Sequence, residues 1–164
     1  MKKIILTALV LCGLNSMALE AGDLAQSGIA LNHLMTDSTE KIQDLTVVPK
    51  GQKFTMLEFF QTTCSACIEN RPNFIKLSKE LSNVATFKLV GIDRKETALR
   101  AFYQTIKSEF SFPYVLDNSR IATKSFAVSV TPTSFIIDEN GKILYKHEGV
   151  FGADDIQQIK EILK

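Results

Sequence analysis

Apolar and polar positions follow two rhythms along this chain, one of strands and one of helices. Phe54 to Gln61, holding the run Met56-Leu57-Glu58-Phe59-Phe60, reads as a buried strand, and Cys64 to Leu81 reads as a helix. Phe87 to Ile92 is a second apolar, partly β-branched strand, and Thr97 to Phe110 is a helix with Leu99, Phe102, Tyr103 and Ile106 at helical spacing. Pro113 to Leu116 reads as a short strand and Arg120 to Val128 as a short helix. Thr133 to Ile137 and Ile143 to Lys146 form a hairpin, because Glu139-Asn140-Gly141 carries the Asn-Gly turn signal. Asp154 to Leu163 closes the chain as an amphipathic helix with Ile156, Ile159, Ile162 and Leu163 on its apolar side. Residues 19–53 are less legible. Ala21 to Met35 reads as a short helix or a loop, and Ile42 to Val48, with Leu45 and Val47 at alternate positions, as a short strand before the turn Pro49-Lys50-Gly51. Strands that alternate with helices and then pair as a hairpin predict one α/β domain, a mixed central sheet with helices on both faces.

The first residues follow a different pattern. Lys2 and Lys3 precede an apolar run from Ile4 to Leu11, and Ser16-Met17-Ala18 places small residues at −3 and −1 of a cleavage site. This is the layout of a secretory signal peptide over 1–18. Its apolar core is too short for a spanning helix, which needs about 20 residues. A retained membrane anchor is the alternative. Leu11 is bulky where a lipoprotein signal before Cys12 requires a small residue. Cleavage after Ala18 removes Lys2, Lys3 and Cys12 and takes the formal charge from +1 to −1. Neither value points to nucleic acid or an anionic membrane as partner. The expected organisation is a signal peptide at 1–18, an extension at 19–39 and one domain at 40–164.

After cleavage only Cys64 and Cys67 remain, as Cys64-Ser65-Ala66-Cys67 between strand and helix. Two cysteines at this spacing can close a small disulfide ring, and the free N–H groups and dipole of a helix N-terminus favour a thiolate on the first. A structural disulfide usually closes a longer loop. A structural zinc site takes four ligands, whereas the two histidines, His33 and His147, are scattered. The pair is therefore read as a redox dithiol, with a soft Cu(I) site as the alternative. In the redox reading Cys64 is the exposed nucleophile and Cys67, one turn in, resolves the mixed disulfide.

Three further positions stand out. Glu58 is a carboxylate in an apolar strand, six residues before Cys64. In a central strand its pKa rises and it serves as the base for the Cys67 proton; on an edge strand it simply faces solvent. Thr131-Pro132 opens a strand, where proline is tolerated. Its peptide bond is either an ordinary trans bond or a cis bond that leaves the Thr131 backbone free to pair with an extended substrate. Pro72 lies inside the first helix, where it removes a hydrogen bond. Arg94, Lys95 and Glu96 read as a solvated loop, and His147 as a surface strand residue.

Together these residues resemble the thioredoxin superfamily over about residues 40–164. The family pattern places a buried acid six residues before the first cysteine, a C-x-x-C, a helix proline five after the second cysteine and a cis-proline before a strand. Those features fall on Glu58, on Cys64 with Cys67, on Pro72 and on Pro132. The stretch from Val130 to Asp138 with Asn140-Gly141-Lys142-Ile143, and the extra strand–helix segment from about Phe87 to Phe110, look like the TlpA/ResA-like branch. The chain differs from the common pattern at Thr63, where tryptophan is frequent, at Ala66, where proline is, and at Asn70, where a glutamate often follows the second cysteine by three. The resemblance implies a thioredoxin-like fold and an exported thiol-disulfide oxidoreductase, a reductant in the bacterial periplasm serving cytochrome c maturation or copper-site assembly. It implies disulfide-bearing substrate proteins and an upstream membrane electron donor as partners, a monomer, and no cofactor beyond the cysteines.

Overall fold

The computed structural model describes residues 19–33, 41–42, 44–111 and 113–164; the leader expected at 1–18 lies outside them. In chain order the elements are β1 (Leu31–His33), β2 (Lys41–Ile42), β3 (Phe54–Phe60), α1 (Ser65–Glu80), β4 (Ala85–Gly91), α2 (Glu96–Ile106), β5 (Tyr114–Leu116), α3 (Ile121–Ser125), β6 (Thr133–Asp138), β7 (Ile143–Glu148) and α4 (Ala153–Ile162). The strands form one mixed sheet in the order β2-β1-β5-β4-β3-β6-β7. Strand β3 lies inside it, parallel to β4 and antiparallel to β6, with Glu58 level with Leu89 on one side and Ser134 on the other. The edge-strand reading of Glu58 is thereby excluded.

Handedness places the helices. The crossovers β3–α1–β4 and β4–α2–β5 step the same way across the sheet, so right-handed connections put α1 and α2 on one face. Phe74 and Leu77 of α1, Leu99 and Tyr103 of α2 and Ile159 of α4 share a single core cluster there. On the other face Ala122 of α3 packs with Phe126, Ile29, Leu31 and Leu45. The period-two alternation of β3 sorts its side chains accordingly: Met56 and Phe60 face α1, Leu57 and Phe59 face α3. Phe59 meets the rings of Phe126 and Phe135 at centroid distances of 5.3 and 5.9 Å. Gly91 allows α2 to lie close: a Cβ there would collide with the side chain of Leu99.

The amino-terminal part corrects two expectations. Within the described part of Ala21–Met35 the chain forms neither a helix nor only a loop: Leu31–His33 is a strand that pairs antiparallel with β5. In place of the strand expected over Ile42–Val48, the described residues from Asp44 onward form a turn at Leu45–Thr46. The Asp44 carboxylate explains it, accepting from Gly28 N at 2.6 Å and from Thr46 N and Oγ1 at 2.9 and 2.8 Å. An Asx turn of this kind competes with a strand ladder. It leaves Leu45 in the core and Val47 exposed.

Two helices are shorter than their apolar periodicity predicts. Helix α2 ends at Ile106, although Phe110 N still reaches Ile106 O at 2.9 Å and its ring is buried. Helix α3 stops at Ser125 in a Schellman motif, with Val128 N donating to Thr123 O and Ala127 N to Lys124 O. Ala127, not glycine, occupies the left-handed position at φ 49°. The hairpin turn matches its sequence: Gly141 adopts φ 79°, and Asp138 Oδ1 accepts from Asn140 N and Lys142 N, each at 2.9 Å.

Candidate active site

Strand β3 ends at Phe60, and the chain reaches α1 through Gln61–Cys64. Asp93, just beyond β4, holds this link: its carboxylate accepts from Thr62 N at 3.0 Å and from Thr62 Oγ1 at 2.7 Å. Cys64 is the N-cap of α1, in extended backbone conformation, and its sulfur accepts from Cys67 N at 3.1 Å. A helix N-terminus has N–H groups without intrahelical acceptors, and here one of them is aimed at Cys64 Sγ. The two cysteines are joined as a disulfide with Cα atoms 5.2 Å apart. Cys64 is partly exposed, whereas Cys67 is 4% exposed and packs with the core.

Across from the pair, the Thr131 carbonyl oxygen lies 3.3 Å from Cys64 Sγ. The Thr131–Pro132 peptide is cis, Pro132 is buried, and Thr133 begins β6. Thr133 Oγ1 donates to Val130 O at 2.8 Å, which fixes the turn before the strand. Exposed Val130 and Ile68 flank Thr131 and the helix start with apolar surface. Pro72 lies inside α1 and, having no N–H, offers no bond to the Ile68 carbonyl.

Beneath the helix is Glu58, 2% exposed. Burial pushes its carboxyl up to about 8, against the opposing effect of hydrogen bonds from Asn70 and Ser134. Asn70 Nδ2 donates to Glu58 Oε2 at 2.7 Å, and Ser134 Oγ lies 3.4 Å from the same oxygen. Asn70 is one helical turn after Cys67 and shares its buried face, with Phe74 next in line. The carboxyl therefore sits under the turn that carries the buried cysteine.

The structure thus brings Glu58, Cys64, Cys67, Thr131 and Pro132 to one end of the sheet. It also shows participants that the sequence reading did not assign: Asn70 and Ser134 on the carboxyl, and Thr62 with Asp93 behind the helix start. Asn70 had a usable signal. It is a polar residue in the stripe Cys67, Asn70, Phe74, Leu77, the same kind of misfit that marks Glu58. His147 is elsewhere engaged, with Nδ1 3.1 Å from Asp155 Oδ1 and its ring stacked on Tyr145. Among the described residues, no three His, Cys, Asp or Glu side chains converge as a metal site, and no helix is long and apolar enough to cross a membrane.

Comparison with known proteins agrees with this geometry. Residues 20–163 match the Redoxin family model. Sporulation thiol-disulfide oxidoreductase A of Bacillus subtilis is 24% identical over 164 residues, 98% of each chain. Thiol-disulfide oxidoreductase ResA of Bacillus thuringiensis subsp. konkukian is 26% identical over 166 residues, 98% of this chain and 92% of that one. In fold the chain is similar to a putative thiol:disulfide interchange protein DsbE from Chlorobium tepidum, with a TM-score of 0.72 and 24% identity over 90% of this chain and all of that one.

Proposed function

The chain belongs to the Redoxin family and is a thiol-disulfide oxidoreductase, and we propose that it is an exported, periplasmic reductant of protein disulfides. The observation that carries the exchange chemistry of this reading is the asymmetry of the pair: Cys64 is partly exposed at the helix start, and Cys67 is buried one turn in. In the reducing direction the Cys64 thiolate attacks a substrate disulfide, one substrate sulfur leaves as a thiolate, and a mixed disulfide forms. The Thr131 backbone, beside Cys64 and flanked by Val130, holds an extended substrate segment by main-chain pairing. Cys67 then loses its proton to Glu58 and attacks Cys64 Sγ. The Cys64–substrate bond breaks, and the second substrate sulfur leaves as a thiolate that takes a proton from water. In the reverse direction protonated Glu58 supplies the proton that Cys67 needs as the disulfide opens.

A membrane electron donor recharges the pair, the protein acts as a monomer, and its substrates belong to cytochrome c maturation or copper-site assembly. The leader-like pattern of residues 1–18 supports export. The deciding experiment is equilibration of the pair with glutathione. A potential near thioredoxin's, about −270 mV, supports the reductant; one near about −120 mV makes the protein an oxidant. Tight Cu(I) retention without insulin disulfide reduction would instead favour the copper site. N-terminal sequencing of the exported protein, expected to begin at Leu19, tests the leader.

A further inference from the structure

The amide of Asn70 has only one orientation open to it. Its Oδ1 accepts from the Phe151 backbone N–H at 2.9 Å, so its Nδ2 must face the other way, where it donates to Glu58 Oε2 at 2.7 Å. Asn70 is fully buried, and Phe151 is held in turn by the start of α4, where Gly152 N donates to Asp155 Oδ2 at 2.8 Å. Both bonds that Glu58 receives from Asn70 and Ser134 end on the same oxygen, Oε2. An oxygen accepting an N–H and an O–H is a poor place for a proton, whereas Oε1 suits one.

We propose that Asn70 is a positioning residue for the exchange reaction: oriented by the Phe151 N–H, its amide fixes Glu58 Oε2 as the acceptor and makes Oε1 the oxygen that takes and returns the Cys67 proton. This rests on the reading of Glu58 as the base for Cys67. Cys67 and Asn70 share one face of α1 at a separation of one turn, so the residue that orients the carboxyl and the thiol that uses it belong to the same rigid element. A hydrogen bond to the anion also stabilises the ionised form, so Asn70 holds Glu58 easier to ionise than burial alone would leave it. Other titratable groups on the surrounding elements are differently engaged. His147 and Tyr145 on β7 both contact Asp155 of α4, and Lys88 on β4 is directed to the Leu45 and Val47 carbonyls.

The test is stopped-flow release of thionitrobenzoate from Cys64 by Cys67, from pH 5 to 10, in wild type, Glu58→Gln, Asn70→Leu and Asn70→Asp. Glu58→Gln should abolish the rise of the rate with pH that Glu58 produces. Asn70→Leu removes the donor and should move the midpoint of that rise upward by about one pH unit or more. Asn70→Asp keeps an acceptor for Phe151 N–H but sets a second carboxyl against Glu58. It should also move the midpoint upward, because two adjacent carboxyls resist double ionisation. If Asn70 serves only as a clasp for Phe151, Asn70→Leu will leave the midpoint at its wild-type pH, and the proposal fails. If Asn70→Leu does not fold, Asn70→Ser, whose shorter side chain also withdraws the amide donor from Oε2, takes its place with the same upward shift expected. A profile unchanged in Glu58→Gln removes the base reading itself and the role of Asn70 with it. A profile lost in Glu58→Gln but unshifted in the Asn70 variants removes the Asn70 role alone.

Discussion

Cys64 Sγ and the Thr131 carbonyl oxygen lie 3.3 Å apart, although 67 positions separate them in the chain. The loop before β6 thus stands directly over the partly exposed sulfur, the one proposed to meet substrate, while Cys67 is buried. Cys67→Ser should accumulate mixed disulfides through Cys64 with partners in a periplasmic extract, and dithiothreitol should release them. Cys64→Ser should trap far less. Greater trapping by Cys64→Ser, read on non-reducing gels, would reverse the two roles.

Glu58→Gln should slow resolution of a preformed mixed disulfide by about 10²-fold at the plateau of the wild-type pH profile. It should leave alkylation of Cys64 much less affected. The same variant has a stability signature. The carboxyl titrates near 4.5 when unfolded and about 8 when folded, so the folded state binds more protons between those values. The stability that protonated Glu58 preserves is complete below about 4.5 and declines as pH rises to about 8. Glu58→Gln should therefore gain on wild type across that window, by on the order of a few kcal/mol, and then level off. Denaturant melts at pH 4, 6 and 8.5 check this; a constant difference at all three would place the titration elsewhere.

Gly91→Ala probes the approach of α2 to the sheet. The added methyl meets the side chain of Leu99, which is fully buried and would have to shift. Overpacking of this kind costs about 1–3 kcal/mol. Leu99→Ala alone leaves a cavity and costs about 2–5 kcal/mol. The double variant should cost clearly less than the two singles together, since each change relieves the other. Strict additivity in urea melts would show that Gly91 and Leu99 do not compete for the same space.

The site was legible where its chemistry is written locally. The Cys64–Cys67 spacing, the strand before it and the helix after it lie within one βα unit, and Glu58 betrays itself as a charge in an apolar run. Strand β1 was not legible, because what makes Leu31–His33 a strand is its partner β5, far along the chain. The end of α3 was missed because Ala127, rather than a glycine, takes the left-handed position. The turn at Asp44–Val48 was missed because Leu45 and Val47 mimic strand alternation, whereas the Asp44 carboxylate collects the backbone N–H groups of Gly28 and Thr46. The bond between Asn70 and Glu58 needs both α1 packed on β3 and Phe151 placed by α4, so it is tertiary information.

Lys88 gives the last test. It lies within β4 and is 4% exposed, and its ammonium donates to Leu45 O at 2.7 Å and Val47 O at 2.9 Å. One side chain thereby fastens the turn that replaces the expected strand. Burial brings its pKa down to about 8, with the charge of Asp44 opposing the shift. The unfolded chain keeps a lysine near 10.5, so between about 8 and 10.5 the folded state binds fewer protons. Stability from this group is therefore present above 10.5 and is lost as pH falls toward 8. Lys88→Met removes that dependence together with the two hydrogen bonds. At neutral pH the lost bonds and the relieved buried charge oppose each other, and the net change should stay within about 2 kcal/mol. Two readouts then separate the effects. Amide exchange at Leu45 and Thr46 should quicken in the variant, because the turn has lost its fastening. The stability of wild type relative to the variant should rise by a few kcal/mol, in order of magnitude, between pH 8 and 10.5. A difference that stays flat across that window would mean that Lys88 keeps its charge in the fold up to the ordinary lysine range, and unchanged exchange at Leu45 would mean that the turn is held by Asp44 alone.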